Sequence, residues 1–205
     1  MEIRLEDVGY TIDGQEIIRN LSFSLKSGQK AVIAWPSGTG KTTLLKLIFG
    51  FTIPTTGKIF IDNQLLNHSN VKHFRKQMSY ANQVADLPKG TVQNSMDEIF
   101  SFPANEHIRD YKSIINNLLS EVKLTSEIFG KNTEELSGGE RQRLTFILCQ
   151  VLNRPIWLLD EITSGLDTDN KSNIVRMVAE ASQTVLISSH DTIWRENNAF
   201  TFINL

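Results

Sequence analysis

The sequence lacks several features that would each assign it to a particular class of protein. It contains one cysteine, Cys149, which excludes an internal disulfide and a cysteine-based zinc site. No apolar run approaches the roughly 18 residues that span a bilayer. The segment that begins at Met1 has neither the basic region nor the apolar core of a secretory signal. We therefore expect a soluble, cytoplasmic chain that reaches a membrane only through a partner.

An excess of charge of one sign is also missing. The chain has 21 Lys and Arg against 23 Asp and Glu, for a formal net charge of -2. This balance argues against a protein that grips nucleic acid or an anionic membrane through bulk charge. What remains is ordinary globular composition, with 205 residues of which 40% are hydrophobic, enough for one domain with its own core.

Strand-like and helical segments alternate along the chain. Apolar runs at 29–35, 156–159 and 184–188 predict buried strands, and 41–49 predicts a helix that ends at Gly50. This alternation predicts an α/β fold with a largely parallel sheet, and hairpin-like early strands predict a small antiparallel addition. From 91 to 136 apolar residues recur at helical spacing, which predicts an inserted helical segment.

A glycine-rich segment joins the buried strand at 29–35 to the first helix. Its residues are Trp35, Pro36, Ser37, Gly38, Thr39, Gly40, Lys41 and Thr42. In this position, backbone N–H groups and the helix N-terminus favour a polyphosphate, Lys41 reaches its terminal groups, and the Thr42 hydroxyl can bind Mg²⁺. The alternative is a glycine-rich turn with a coincidental Lys-Thr pair, which the strand–loop–helix context disfavours.

Two carboxylates follow the apolar strand at 156–159. This placement puts Asp160 beside a metal ion and leaves Glu161 to polarise a water molecule. A strand that simply runs into a solvated loop would look the same. The phosphate loop earlier in the chain favours the functional interpretation.

The segment Ser137-Gly138-Gly139-Glu140 supports two compatible interpretations. Ser137 and Glu140 have the spacing of a capping box that opens a helix. Two consecutive glycines lower helix propensity in the first turn, and a capping box does not need them. They are useful where a ligand such as a γ-phosphate must approach the backbone closely.

Residues 136–143 resemble the signature motif of the ATP-binding cassette (ABC) family, and the resemblance covers essentially the whole chain. It implies that Gln83 is the glutamine of the Q-loop, at the hinge to a helical subdomain, where it contacts metal and water. It further implies that Asp167 is the acidic residue of the D-loop and that His190 contacts the γ-phosphate. Tyr10 stands where the family stacks an aromatic ring on adenine.

The resemblance implies that ATP and Mg²⁺ lie between two cassettes paired head to tail, with the γ-phosphoryl group transferred to water. The implied catalytic residues are Lys41, Gln83, Glu161 and His190, and the implied metal ligands are Thr42, Gln83 and Asp160. The implied nucleotide contacts are Tyr10, the loop from Trp35 to Thr43 (Trp35, Pro36, Ser37, Gly38, Thr39, Gly40, Lys41, Thr42 and Thr43), Ser137, Gly138, Gly139 and Asp167.

The resemblance also implies a particular organisation and set of partners. We expect one ABC ATPase domain over 1–205, with a nucleotide-binding core at 1–85 and 137–205 and a helical subdomain at about 86–136. The expected partners are a second copy of the cassette, as a homodimer, and a separate transmembrane permease subunit, with no nucleic acid. The chain would then lie at the cytoplasmic face of the cell membrane. Runs at 131–137 and 160–167 look similar to bacterial iron-export-type ATPases.

Two alternatives to a transport ATPase stay open. One is a cassette that acts on DNA or the ribosome, although the chain has neither the coiled-coil insertion nor the second cassette of such relatives. The other is a cassette that binds nucleotide but hydrolyses it weakly. Trp35 favours this second alternative because it replaces the first glycine of the loop, whereas Glu161 and His190 argue against it.

Trp35 is the clearest departure from the family pattern. If the position requires a positive φ, a bulky residue there costs about 1–3 kcal/mol. We expect the loop to keep its fold with the indole directed away from the phosphates. Under this hypothesis ATP binding and turnover are weakened, and Trp35→Gly increases them.

Overall fold

The chain folds into two β-sheets flanked by helices. The structure is a computed structural model that describes residues 1–82 and 87–204. The strands are β1 (Ile3–Ile12), β2 (Gln15–Leu25), β3 (Lys30–Ile33), β4 (Thr56–Ile61), β5 (Gln64–Leu65), β6 (Met78–Ala81), β7 (Ile156–Asp160), β8 (Thr184–Ser188) and β9 (Phe200–Ile203). The α-helices are α1 (Lys41–Phe49), α2 (Val71–Arg75), α3 (Val92–Ser101), α4 (Tyr111–Leu119), α5 (Gly138–Leu152) and α6 (Thr168–Glu180).

The two sheets differ in strand direction. The smaller sheet is antiparallel and has the order β2-β1-β4-β5. The larger sheet has the order β6-β7-β8-β3-β9, and all of its pairings are parallel. This architecture confirms the predicted α/β class, with a mainly parallel sheet and a small antiparallel addition.

Helix α1 lies between the two sheets and carries the phosphate loop at its N-terminus. Gly40 precedes it with φ 94°, and Gly50 ends it with φ 76°, a left-handed conformation that glycine adopts without steric cost. The helix buries Leu44 and Leu45 in one apolar cluster with residues of both sheets, including Leu5 of β1 and Leu158 of β7. The packing of α1 therefore fixes the loop that precedes it against both layers.

The described chain between β6 and α5 is helical. Helix α3 begins after Thr91, whose Oγ1 accepts a hydrogen bond from the Asn94 amide at 3.2 Å. A bridge between Thr91 and Asn132 closes the segment at its base. Short 3₁₀ turns follow α4, at Ser120–Val122, Ser126–Gly130 and Thr133–Glu135. The division of the chain into a core at 1–85 and 137–205 and a subdomain at about 86–136 stays a prediction.

The helices within the described ranges are short. The longest, α5, has 15 residues. None of them has both the length and the apolar character that crossing a bilayer requires.

Candidate nucleotide-binding site

Three segments that carry predicted nucleotide-binding or catalytic residues meet at one edge of the parallel sheet. Ser188, at the end of β8, pairs with Ile33 on one side and with Asp160 on the other. The carboxyl ends of β3, β7 and β8 are therefore level, and each continues into a segment that the sequence singled out. Ligands of open α/β sheets bind in the crevice outside these strand ends.

The glycine-rich loop leaves β3 and forms one wall of a pocket at this edge. Gly38 and Gly40 have φ of 80° and 94°. A Cβ at Gly40 would lie 2.8 Å from Ile17 Cγ2, so only glycine fits beside the antiparallel sheet. The pocket has a volume of about 380 Å³, and its lining residues are Ile17, Ser37, Gly38, Gly40, Lys41, Thr42, Thr43, Glu161 and Ser188.

Lys41 is held inside the loop by backbone carbonyls. Its ammonium Nζ donates to the carbonyl oxygen of Trp35 at 2.9 Å and to that of Pro36 at 3.3 Å. Nζ also lies 3.8 Å from Glu161 Oε1, and Lys41 is only 7% exposed. A buried cation needs such partners because it has lost its hydration. The charge is thus placed at the pocket wall before any phosphate arrives.

Glu161 lies between Lys41 and His190. Its Oε2 is 2.9 Å from His190 Nδ1, and the carboxylate is buried whereas the imidazole is largely exposed. The Glu161 backbone is left-handed, with φ 52°. Its amide donates to the Ser188 carbonyl oxygen at 2.8 Å, which ties this unusual turn to the end of β8. The arrangement leaves a buried carboxylate facing the pocket beside a histidine, as a general base for water requires.

Asp160 has one carboxylate oxygen without a protein partner among the described residues. Oδ2 accepts a hydrogen bond from the Tyr80 hydroxyl at 3.5 Å, whereas Oδ1 is buried and unpaired there. Burial and the neighbouring Asp160 carboxylate raise the pKa of Tyr80, so the phenol remains a donor. Ser188 Oγ is likewise buried and unpaired within the described ranges. Ser188 lines the pocket together with Thr42, and unpaired buried oxygens of this kind are ligands that a hard cation such as Mg²⁺ prefers.

The segment Ser137-Gly138-Gly139 lies on the surface at the start of α5. Ser137 Oγ accepts from the Glu140 amide at 3.2 Å, and Glu140 Oε2 accepts from the Ser137 amide at 2.9 Å, so the predicted capping box is confirmed. Hydrogen bonds from Lys131 and from the Ser137 amide lower the pKa of Glu140 to about 2. Ser137 and Gly138 are exposed, and a Cβ at Gly138 would meet no atom within 4 Å.

Asp167 caps the next helix close to this segment. It precedes α6, and its side chain accepts from the Asn170 amide at 2.9 Å, which lowers the pKa of Asp167. A Cβ at Gly139 would lie 3.3 Å from Cδ2 of Leu166, the residue before Asp167. The start of α5 and the segment that leads into α6 are therefore neighbours on the surface.

Among the predicted site residues that do not line the pocket, Tyr10 and Trp35 have other partners, and Gln83 lies outside the described chain. Tyr10 is half-buried on β1, and its hydroxyl hydrogen-bonds Thr52 Oγ1 at 3.0 Å, so the structure does not bring it into the pocket lining. Trp35 contributes its carbonyl to Lys41, whereas its buried indole donates to the carbonyl oxygen of Ile203 at 2.9 Å.

The backbone at Trp35 corrects one expectation. Trp35 is not among the described residues with positive φ, so the left-handed strain that a tryptophan would suffer there does not arise. Left-handed strain therefore gives no reason to expect a gain of function in Trp35→Gly, and the effect of that variant on ATP binding and turnover stays a prediction. Its indole points away from the phosphate-facing side of the loop, toward β9.

The structure adds residues that the sequence did not single out. Thr163 and Lys171 both hydrogen-bond the Asp191 carboxylate, with Lys171 Nζ at 2.6 Å from Asp191 Oδ1. Burial raises the pKa of Asp191, but these hydrogen bonds and the Lys171 charge outweigh it and lower the pKa overall. This cluster ties the residue after His190 to the chain after Glu161. No local sequence pattern marks it, because its members come from three separate segments.

Comparisons with known sequences identify the family to which this geometry belongs. The model of a family described as "ABC transporter" matches residues 18–164. The chain is 35% identical over 193 residues to the probable iron export ATP-binding protein FetA of Escherichia coli (strain K12), covering 92% of this chain and 84% of that protein. It is 31% identical to the mitochondrial iron-sulfur clusters transporter ATM1 of Candida glabrata, covering 86% of this chain but only 25% of ATM1.

Solved structures share the same fold. One is the dimeric post-hydrolysis state of the ATP-binding cassette MJ0796 bound to ADP and Pi, with a TM-score of 0.81, 24% identity, and coverage of 98% of this chain and 94% of that one. Another is a bacterial Atm1-family ABC exporter with ATP bound, with a TM-score of 0.79, 24% identity, and coverage of 94% and 35%. The chain therefore belongs to the ABC transporter family, as an ABC cassette of the kind that couples ATP hydrolysis to transport.

Proposed function

We propose that this chain is the ATP-hydrolysing subunit of a membrane transporter and that it lies at the cytoplasmic face of the cell membrane. In this proposal the membrane-spanning part of the transporter is a separate polypeptide. The observation that carries the proposal is the pocket in which Lys41, Glu161 and Ser188 converge beside the glycine-rich loop. The similarity to FetA, which covers most of both chains, supports an export function with iron as the class of cargo.

In the proposed reaction the phosphates of ATP lie along the glycine-rich loop. The Trp35 and Pro36 carbonyls, at 2.9 and 3.3 Å, hold the Lys41 ammonium at the pocket wall, where it meets the terminal phosphates. Glu161 accepts a proton from the attacking water, and His190, at 2.9 Å from Glu161, steadies the γ-phosphate. Thr42 and Asp160, together with Gln83 from the family resemblance, would hold Mg²⁺, which offsets the charge that develops on the phosphates.

The second half of each site comes from another copy of the chain. Ser137 and Gly138 are exposed, and the space above Gly138 is open. The Ser137 hydroxyl caps its own helix. Gly139 lies against Leu166, whereas Gly138 faces open space where a partner could approach the backbone. We therefore propose a head-to-tail homodimer in which this surface closes over the γ-phosphate bound to the partner's loop.

The proposed membrane partner contacts the helical segment at about 86–136. Phe102 is 50% exposed directly after α3, so a probe at this position lies on the surface of the helical segment. We expect a photo-crosslinker at Phe102 to capture an integral membrane subunit when the chain is isolated from membranes. The matched control is Ile12, which is 44% exposed on the antiparallel sheet. Capture from position 12 and not from 102 would contradict this docking surface.

A further inference from the structure

The first residue of the phosphate loop is fastened to the edge strand of the parallel sheet. Strand β3 ends at Ile33, which pairs with Ile203 at the end of β9. Beyond this pair, the indole Nε1–H of Trp35 donates to the carbonyl oxygen of Ile203 at 2.9 Å. The Trp35 side chain thus extends the contact between β3 and β9 beyond the end of β3 and into the loop.

This anchor is specific to Trp35 among the tryptophans of the chain. Trp35 and Trp157 are equally buried, each 3% exposed, and Trp194 is 0% exposed. Within the described ranges, Nε1 of Trp157 and Nε1 of Trp194 have no hydrogen-bond partner. A buried indole N–H therefore does not always have a hydrogen-bond acceptor among the described residues of this protein. The N–H of Trp35 does have one.

The backbone of the same residue orients the phosphate-binding lysine. The carbonyl oxygen of Trp35 accepts from Lys41 Nζ at 2.9 Å, the shorter of the lysine's two contacts with loop carbonyls. Trp35 therefore contacts β9 through its side chain and Lys41 through its main chain. A shift of the indole would move the carbonyl that holds the lysine in place.

We propose that Trp35 is a positioning residue for nucleotide binding, whose indole, anchored on β9, holds the first turn of the loop and the carbonyl that orients Lys41. The role rests on the proposed function, because it acts through the ATP that the loop binds. The loop contacts phosphate in both the ground state and the transition state. Loss of the anchor should therefore raise KM more than it lowers kcat.

The variant Trp35→Phe tests this role because it keeps an aromatic ring in the cluster and removes only the N–H donor. We expect an about two- to tenfold rise in the KM for Mg-ATP, the loss that one hydrogen bond predicts, with kcat within about twofold of the wild type. The matched control is Trp157→Phe, which removes an equally buried indole without a partner among the described residues. An unchanged KM in Trp35→Phe, or an equal rise in both variants, would overturn the positioning role.

A spectroscopic measurement on the wild-type chain decides the question even if Trp35→Phe does not fold. With ¹⁵N-labelled tryptophan, the indole N–H signal of Trp35 should shift on addition of Mg-ADP, and those of Trp157 and Trp194 should shift less. A Trp35 signal that does not respond to saturating nucleotide would contradict the proposal. A wild-type chain that binds no nucleotide contradicts the proposed function itself, whereas normal wild-type binding with an unaffected Trp35→Phe contradicts only the role of Trp35.

Discussion

At the scale of single residues, the backbone of Glu161 explains how one carboxylate faces both Lys41 and His190. A left-handed conformation costs a non-glycine residue about 1–2 kcal/mol, and Glu161 adopts it directly after β7. The carbonyl of Glu161 accepts from the Ser164 amide at 3.0 Å and from Gln142 Nε2 at 3.3 Å. These contacts offset the conformational cost and turn the side chain back over the ends of the strands.

We expect Lys41 to contribute mainly to ATP binding and Glu161 mainly to the hydrolysis step. We expect Glu161→Gln to abolish ATP turnover with little change in ATP affinity, because the carboxylate activates water rather than holding phosphate. We expect Lys41→Ala to weaken ATP binding at least tenfold, since one hydrogen-bonded charge contributes about 1.5–3 kcal/mol. Equilibrium titration with a fluorescent ATP analogue, beside steady-state phosphate release, measures both. Equal losses of affinity in the two variants would contradict this division.

The face of the antiparallel sheet that Tyr10 occupies could not be predicted from alternation along β1. The pairing of β1 with β2 shifts register between Val8 and Tyr10 and again between Tyr10 and Thr11. A register shift moves side chains to the other face of a sheet, so strict alternation no longer predicts which face Tyr10 occupies. The hydroxyl bonds Thr52, beyond the end of α1, a contact between residues 42 positions apart in sequence.

At the scale of elements, the sequence predicts local structure well and contacts between distant segments poorly. The bounds of α1 match the predicted helix at 41–49, because Gly40 and Gly50 mark both of its ends. The capping box at Ser137 could also be predicted, because it depends only on two residues three positions apart in the sequence. The bond from Trp35 to Ile203 joins residues 168 positions apart and leaves no periodic signal in the sequence.

The start of α5 also provides an element whose stability should depend on pH. Glu140 has a pKa of about 2 in the folded chain, against an ordinary value of 4.5. Because the folded pKa is depressed, the ionised Glu140 stabilises the fold above pH 4.5, and this stabilisation is lost as the pH falls toward 2. In urea unfolding, Glu140→Gln should therefore be less stable than the wild type at pH 7, with a difference that shrinks below pH 4.5.

Glutamine at position 140 keeps the reciprocal capping contact but loses the ion pair with Lys131, whose Nζ lies 2.7 Å from Glu140 Oε1. The matched control is Glu134→Gln, which removes an ion pair between exposed side chains, Lys89 and Glu134, 3.1 Å apart. Exposed pairs contribute little to stability, so we expect this control to show a much smaller difference. If Glu140→Gln were less stable than the wild type by the same amount at pH 7 and at pH 3, the ionised Glu140 would not be the source of the stability difference.

At the scale of the whole molecule, the proposed ATP site draws on two separate parts of the chain. The phosphate loop, Glu161 and His190 lie at the edge of the parallel sheet, and the segment at Ser137 starts α5. Residues 18–164, which match the family, contain both the loop and this segment. A pair of identical chains with two-fold symmetry can satisfy both halves at once, because such an interface is self-complementary.

ATP should therefore drive dimerisation of the chain when hydrolysis is blocked. We expect Glu161→Gln to elute as a dimer in gel filtration with Mg-ATP and as a monomer without nucleotide. Adding Gly138→Phe should abolish the dimer but leave the monomer fold intact, because a Cβ at position 138 meets no atom within 4 Å and the added ring lies over the partner-facing surface. Gly130→Phe is the matched control, since position 130 has equally open space but lies on the 3₁₀ turn Ser126–Gly130. Loss of the dimer in both double variants, or a dimer that survives Gly138→Phe, would show that the start of α5 does not cover the partner's nucleotide.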